Sequence, residues 1–271
     1  MPVLRYAKWS PCGNTTLFFS SDSCSREEQT RLAQDAQKNS ALCAEQTGFL
    51  DLTQHHLRMA GDEFCLNAAR AFGAHLARSH KKNEKSTFLI TVSGWPSPIS
   101  LLVEGSLPNF SVTATLTNFP HSHTPREEGI DEITLPAITH ILINESLHPL
   151  ERSHAKDILF SLLDRFHLRD HACVGVIWWQ KNQDHFSITP LVYVKEVQTC
   201  FWEESCGSGS LALSLYLASL SQKKTSCSIL QPSGESLRIA FSPQEGARVR
   251  GDVSLVSEGL FYWEPQKNSP Q

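Results

Sequence analysis

One plan occurs twice along this chain, and it limits the fold more than any other feature: several strand-like segments, then an apolar helix entered directly from a cysteine. The first copy is CLNAARAFGAHLARSH, residues 65–80, whose helix formers place Ala68, Phe72 and Leu76 near one face. The second follows Cys206 as GSGSLALSLYLASL, residues 207–220, rich in Leu and Ala. Two like halves imply a cleft between them, and interdomain clefts are common sites for small molecules.

The remaining segments fill in the halves. A turn at SPCGN, with Pro11, Gly13 and Asn14 as breakers, precedes the strand-like TTLFFSS. Residues 25–38, SREEQTRLAQDAQK, read as a polar surface helix with Ser25 as N-cap and Glu28 completing a capping box. FLDLTQHHLRM, FLITVSGWPSPISLLVEG and SVTATLTNF read as strands and turns. The polar PHSHTPREEG, residues 120–129, reads as a connection, giving an expected division into 1–126 and 127–271. The second half then offers ITLPAITHILINE as a strand and SHAKDILFSLLDRFH, residues 153–167, as an amphipathic helix. CVGVIWWQ, SITPLVYVKE, SCSILQP, SLRIAF and VRGDVSLVSEGLFYWE are further strands, and the closing PQKNSPQ reads as disordered.

Composition excludes several classes. A formal charge of −4 with no basic stripe gives no reason to expect nucleic acid. No run of roughly 18 apolar residues and no signal-like leader occur, so a cytoplasmic protein without a membrane partner is expected. The eight cysteines include no CxxC pair and are expected to be reduced. His55-His56 and His121-x-His123 lack matching ligand spacing, so no metal is expected. With no Walker loop, and no GxGxxG after a strand, no nucleotide cofactor is expected either.

The chemistry concentrates at Cys65 and Cys206. Each begins an apolar helix and follows a short acidic stretch, GDEFCLNAA in one case and WEESCGSGS in the other. A thiol at a helix N-terminus meets the positive end of the dipole and unpaired N–H groups. These favour the thiolate, so a pKa falling from about 8.5 toward neutrality is expected. The same N–H groups can hold a carboxylate, and Gly207 and Gly209 would let a ligand approach the backbone. Two such thiols facing one carbon fit inversion at an amino-acid α-carbon, one removing a proton and the other returning one to the opposite face. From the residues alone, two buried helix-start cysteines of no special function are the favoured reading, and only family resemblance shifts it.

FCLNAARAF and SCGSGSLAL resemble the two cysteine motifs of the diaminopimelate epimerase superfamily, MCGNGARC-like and ACGTGA-like. YAKWSPCGNTTLFF resembles that family's opening segment, LPAITHILI its GNPH segment, and RGDVSLVSEGLFYWE its last strands, so the likeness covers most of the chain. The resemblance implies an α/β (α+β) fold of two pseudo-symmetric domains, each a curled mixed β-sheet around a central helix, and allows the last strand to return to the first domain. It implies a cofactor-independent racemase or epimerase with Cys65 and Cys206 as acid and base. Superfamily members often pair as homodimers, although no residue here demands it.

The departures bear on the substrate. No Glu-Arg pair precedes the second cysteine motif, and Ile138 and Thr139 stand where GNPH has Asn and Pro. A distal carboxylate would be left unpaired, which disfavours diaminopimelate itself. KWSPCGNTTLFF, EQTGFL, GDEFC and FWEESCGSGS are most similar to the histidine racemases of staphylopine-type metallophore synthesis. That resemblance implies reversible L-/D-histidine conversion. It implies Asn14 and Asn67 on the substrate backbone, Gly207 and Ser208 N–H groups on its carboxylate, and Glu45, Glu63, Glu203 and Glu204 as candidates for its ammonium or imidazole. Diaminopimelate epimerase, another amino-acid epimerase, or an isomerase or binding protein of the same fold without two-thiol chemistry are the alternatives.

Overall fold

A computed structural model of the protein describes residues 2–81, 84–196, 199–221 and 224–264. The PQKNSPQ terminus lies outside these. The first half carries β1 (Val3–Pro11), β2 (Thr16–Ser20), α1 (Arg26–Lys38), β3 (Gln46–Asp51), β4 (His56–Met59), α2 (Leu66–Leu76), β5 (Lys85–Val92), β6 (Ile99–Ser106) and β7 (Asn109–Leu116). The second carries β8 (Ser122–Glu127), β9 (Ile130–Leu135), β10 (Ile138–Asn144), α3 (Ala155–Arg165), β11 (Cys173–Lys181), β12 (Phe186–Val194), β13 (Thr199–Trp202), α4 (Gly207–Ser221), β14 (Thr225–Leu230) and β15 (Ser236–Ser242). The last strand, β16 (Gly246–Tyr262), belongs to both.

The fold is mixed α/β with a sheet-dominated, barrel-like core. Strands β1 to β7 follow in order, β16 pairs with β7, and β16 also pairs with β1, closing a ring around α2. From β16 the sheet runs on through β15, β14, β12, β11, β10, β9 and β8 and curls around α4. The length of β16, 17 residues, makes this sharing possible: Ala247–Ser254 pairs with β7, and Val253–Tyr262 pairs with β1. The same parallel crossovers recur in each half. β2 and β3 are joined through α1 as β10 and β11 are through α3; β4 and β5 are joined through α2 as β12 and β14 are through α4.

Local sequence explains which helices lie outside. In α1 the Ser25–Glu28 capping box forms, and only Gln29, Leu32, Ala33 and Ala36 are buried. In α3 the buried residues are Ala155, Leu159, Leu162 and Leu163, again one stripe. The inner helices have no polar stripe to spare: α2 buries every residue from Leu66 to His75, and α4 every residue from Gly207 to Leu215. Each fully buried Leu or Phe there contributes roughly 1.5–3 kcal/mol, so the two helices are the core rather than its cover.

One sequence expectation needs correction. Residues 120–129 are not a bare connection; they contain β8, antiparallel to β9. Its polar side chains hid it, because it is an edge strand with no buried residue, and an edge tolerates Pro125 beside a register shift. In the core, His140 is fully buried with a pKa held down at about 3 by that burial. Its ring occupies room left by Gly175, where a Cβ would lie 2.5 Å from His140 Nδ1. Among the described residues no helix is long and apolar enough to cross a membrane.

Candidate active site

The central helices meet at their N-termini. A Cβ on Gly207, the first residue of α4, would lie 2.8 Å from Asn67 Oδ1 and 3.2 Å from Leu66 Cβ at the start of α2. Glycine at 207 is what allows the two helix starts to approach this closely. Cys65 is the N-cap of α2, and its Sγ accepts the Ala68 N–H at 3.3 Å. Cys206 stands just before α4, and its Sγ accepts the Gly209 N–H at 3.3 Å. The sulfurs thus occupy equivalent positions and cap their helices as a serine hydroxyl would.

Both thiols line one small cavity of about 30 Å³. Asn67, Glu203, Gly207 and Ser208 line it as well. So do Glu63, Gln46, Phe64, Phe201, Ile138 and Cys173. The space holds about one water molecule and no amino acid. The wall carries carboxyls but no lysine or arginine.

Hydrogen bonds between the halves converge just before Cys206. The Ser205 carbonyl accepts Asn67 Nδ2 at 2.7 Å and Asn14 Nδ2 at 3.0 Å. Asn14 Nδ2 also lies 3.4 Å from Glu203 Oε1, and Gln46 donates to Asn14 Oδ1. Glu45 accepts the Thr15 N–H at 3.2 Å with one oxygen and the Glu204 N–H at 3.4 Å with the other. The Cys206 N–H donates to Gln231 Oε1 at 2.9 Å.

Residues 3–262 match the model of the histidine racemase CntK N-terminal domain. The chain belongs to this histidine racemase family. A histidine racemase from Fusobacterium nucleatum is 29% identical over 268 residues, covering 96% of this chain and 97% of its own. One from Staphylococcus aureus is 26% identical over 282 residues, covering 97% and 98%. Among solved structures, a hydroxyproline epimerase from Agrobacterium vitis superposes with a TM-score of 0.65 at 9% identity, covering 96% of this chain and 92% of that one. As a member of the histidine racemase family the chain is an amino-acid racemase, an isomerase.

In this racemase, the residues singled out from the sequence fall into two groups. Cys65, Cys206, Glu63, Asn67, Glu203, Gly207 and Ser208 line the cavity. Asn14 and Glu45 lie behind its wall, where they hold Ser205, Glu203 and Glu204 in place. Gln46 and Cys173 were not singled out. Cys173 begins a strand buried on both faces, so no alternation in the sequence reveals which face it takes.

The thiol pKa values are raised in the fold, not lowered as expected. Burial, followed by the charge of Glu203, pushes Cys65 up to about 12. Burial and contact with the Glu203 carboxyl raise Cys206 well above the ordinary range. The N–H groups of Ala68 and Gly209 act in the anticipated direction, but desolvation outweighs them. The carboxyls are displaced too, chiefly by burial: Glu203 to about 8, with Glu45 and Glu63 to about 7. Glu203 Oε2 accepts no N–H or O–H donor among the described residues. Burial thus favours the protonated form of each of these three acids.

Proposed function

We propose that this enzyme interconverts L- and D-histidine without a cofactor, with Cys65 and Cys206 on opposite faces of the substrate α-carbon. The observation that carries the reading is the pairing of two helix-capping thiols in one buried cavity. One sulfur, as thiolate, takes the α-proton; the other, as thiol, delivers a proton to the far face. The electron pair left by the first proton delocalises into the substrate carboxylate. The N–H groups of Leu66, Asn67, Gly207 and Ser208 precede the first i→i−4 bonds of their helices and are the donors for that charge.

The protonated acids give the substrate its role in activation. The α-ammonium, brought against Glu203, favours the ionised carboxylate and offsets the charge that opposes thiolate formation. The Cys206 thiol already lies against the Glu203 carboxyl, which can take up its proton. Glu203 and Glu63 suit a side chain that donates hydrogen bonds, as imidazole does, and an acidic side chain would meet like charge. Phe64 and Phe201 supply flat apolar walls. In this reading the halves, 1–126 and 127–271, part to admit histidine and close around it. The resemblance to staphylopine-type enzymes supports a cytoplasmic role supplying D-histidine for a metal-chelating product.

The test is incubation with L-histidine in heavy water. Deuterium at Cα and accumulation of D-histidine are expected, and racemisation should fall by about 10³-fold with Cys65→Ser or Cys206→Ser. Undiminished racemisation by either variant would defeat the two-thiol reading, and exchange on other amino acids but not histidine would defeat the substrate.

A further inference from the structure

Arg70 stands one turn into α2, three residues from Asn67, and is completely buried. Arginine is almost never so placed unless paired. Its hydrogen bonds run to two neutral groups: Nη2 donates to Asn67 Oδ1 at 2.7 Å, and Nη1 to Cys12 Sγ at 3.7 Å. Its Nε has no partner among the described residues. Hydrogen bonding of this quality does not repay the desolvation of a cation, so stability alone gives no reason for an arginine here.

Its geometry gives another reason. A guanidinium has donors only, so the sole atom of Asn67 it can hold is the amide oxygen. With Oδ1 fixed on Arg70, Nδ2 must face the other way, where it donates to the Ser205 carbonyl at 2.7 Å. A reversed amide would set NH₂ against the guanidinium and oxygen against the Ser205 carbonyl, two repulsive contacts. Nδ2 carries a second hydrogen, and Asn67 lines the cavity. Asn67 therefore cannot turn an acceptor toward a bound carboxylate.

We propose that Arg70 is a positioning residue of the racemase: through Asn67 it fixes a hydrogen-bond donor at the substrate carboxylate and ties the start of α2 to the backbone preceding Cys206. This rests on the reading of the two-thiol cavity as the racemisation site. Arg70 itself touches no substrate and acts only through the polarity of one amide.

The experiment is L-histidine racemisation by the wild type, R70M, N67A and the R70M/N67A double variant, with thermal unfolding of each. R70M is expected to raise KM and to lower kcat/KM by about 10- to 100-fold, as befits loss of a charged hydrogen-bonding partner. In the N67A background R70M should lower kcat/KM by less than about 2-fold further, because the amide it acts through is gone. Multiplying penalties in the double variant, or an unimpaired R70M, would overturn the proposal. Should R70M fail to fold, N67D decides: its carboxylate keeps the bond to Arg70 but offers no donor. A raised KM in folded N67D supports the proposal, and a wild-type KM overturns it. A wild type inert toward histidine would instead overturn the reading beneath it, an outcome plainly different from an active wild type with R70M unaffected.

Discussion

The two central helices begin alike and sit among different neighbours. At each start a cysteine sulfur accepts the N–H three residues on, at 3.3 Å in both cases. Beyond that the likeness ends. Cys65 is half-buried, and the Gln46 amide donates to it; Cys206 is buried and lies against the Glu203 carboxyl, with Ser208 Oγ 3.7 Å away. A repeated local device thus yields two unequal thiols, because the cap is set within one turn and the neighbours come from the rest of the chain. A reaction needing one base and one acid on opposite faces has a use for that inequality.

The largest expected effect separates the thiols by face. Cys65→Ser and Cys206→Ser should each lower racemisation by about 10³-fold, within the range for loss of a general acid or base. If the two serve opposite faces, the residual solvent exchange in one variant will favour L-histidine and in the other D-histidine, read by α-deuterium incorporation. Equal residual exchange of both enantiomers in both variants would break the distinction.

The inequality can be sharpened at Glu203. Glu203→Gln removes the carboxyl touching Cys206 and leaves Gln46 on Cys65. Alkylation by iodoacetamide, followed by mass spectrometry, should become faster at Cys206 by a larger factor than at Cys65. Racemisation should fall by roughly 10- to 100-fold as the ammonium loses its partner. A smaller loss, about 10-fold in kcat/KM, is expected for Gly207→Ala, whose methyl would wedge the helix starts apart at Asn67 and Leu66. The same change made at an exposed glycine with open surroundings, Gly234→Ala, tests instead a turn strained by its φ of +85° and should leave kcat/KM intact.

The smallest effect is on stability. The pKa values of Glu45, Glu63 and Glu203 are raised in the fold, to about 7, 7 and 8. The unfolded chain ionises them at lower pH, so their protonated form supports the fold below that range, and the support is lost as pH rises through the folded values. Tm should therefore fall by several degrees between about pH 4.5, near the unfolded carboxyl value, and about pH 8, then level off, and the fall should be shallower in Glu203→Gln, as followed by calorimetry. An identical slope in the variant would mean that Glu203 is not among the acids responsible.

How far the sequence could be read varies from residue to residue. Ser25 and Glu28 form their capping box because that motif spans one turn. The inner helices were visible as apolar runs, and Cys65 and Cys206 as their first residues. Strand β8 was missed, since edge strands need no apolar alternation. Asn14 and Glu45 were singled out, but their position behind the wall rather than in it depends on contacts across more than 150 residues, with Ser205 and Glu204.

Two apolar helices, each headed by a cysteine, are legible from the residues because apolar patterning acts within a few turns of chain. Tertiary structure alone decided that the thiols share a single cavity, and that desolvation there raises their pKa values against the pull of the helix N-termini. The physical reason is range: a helix terminus acts on its own first turn, whereas burial and the carboxyl of Glu203 reach Cys65 from a segment more than 130 residues away.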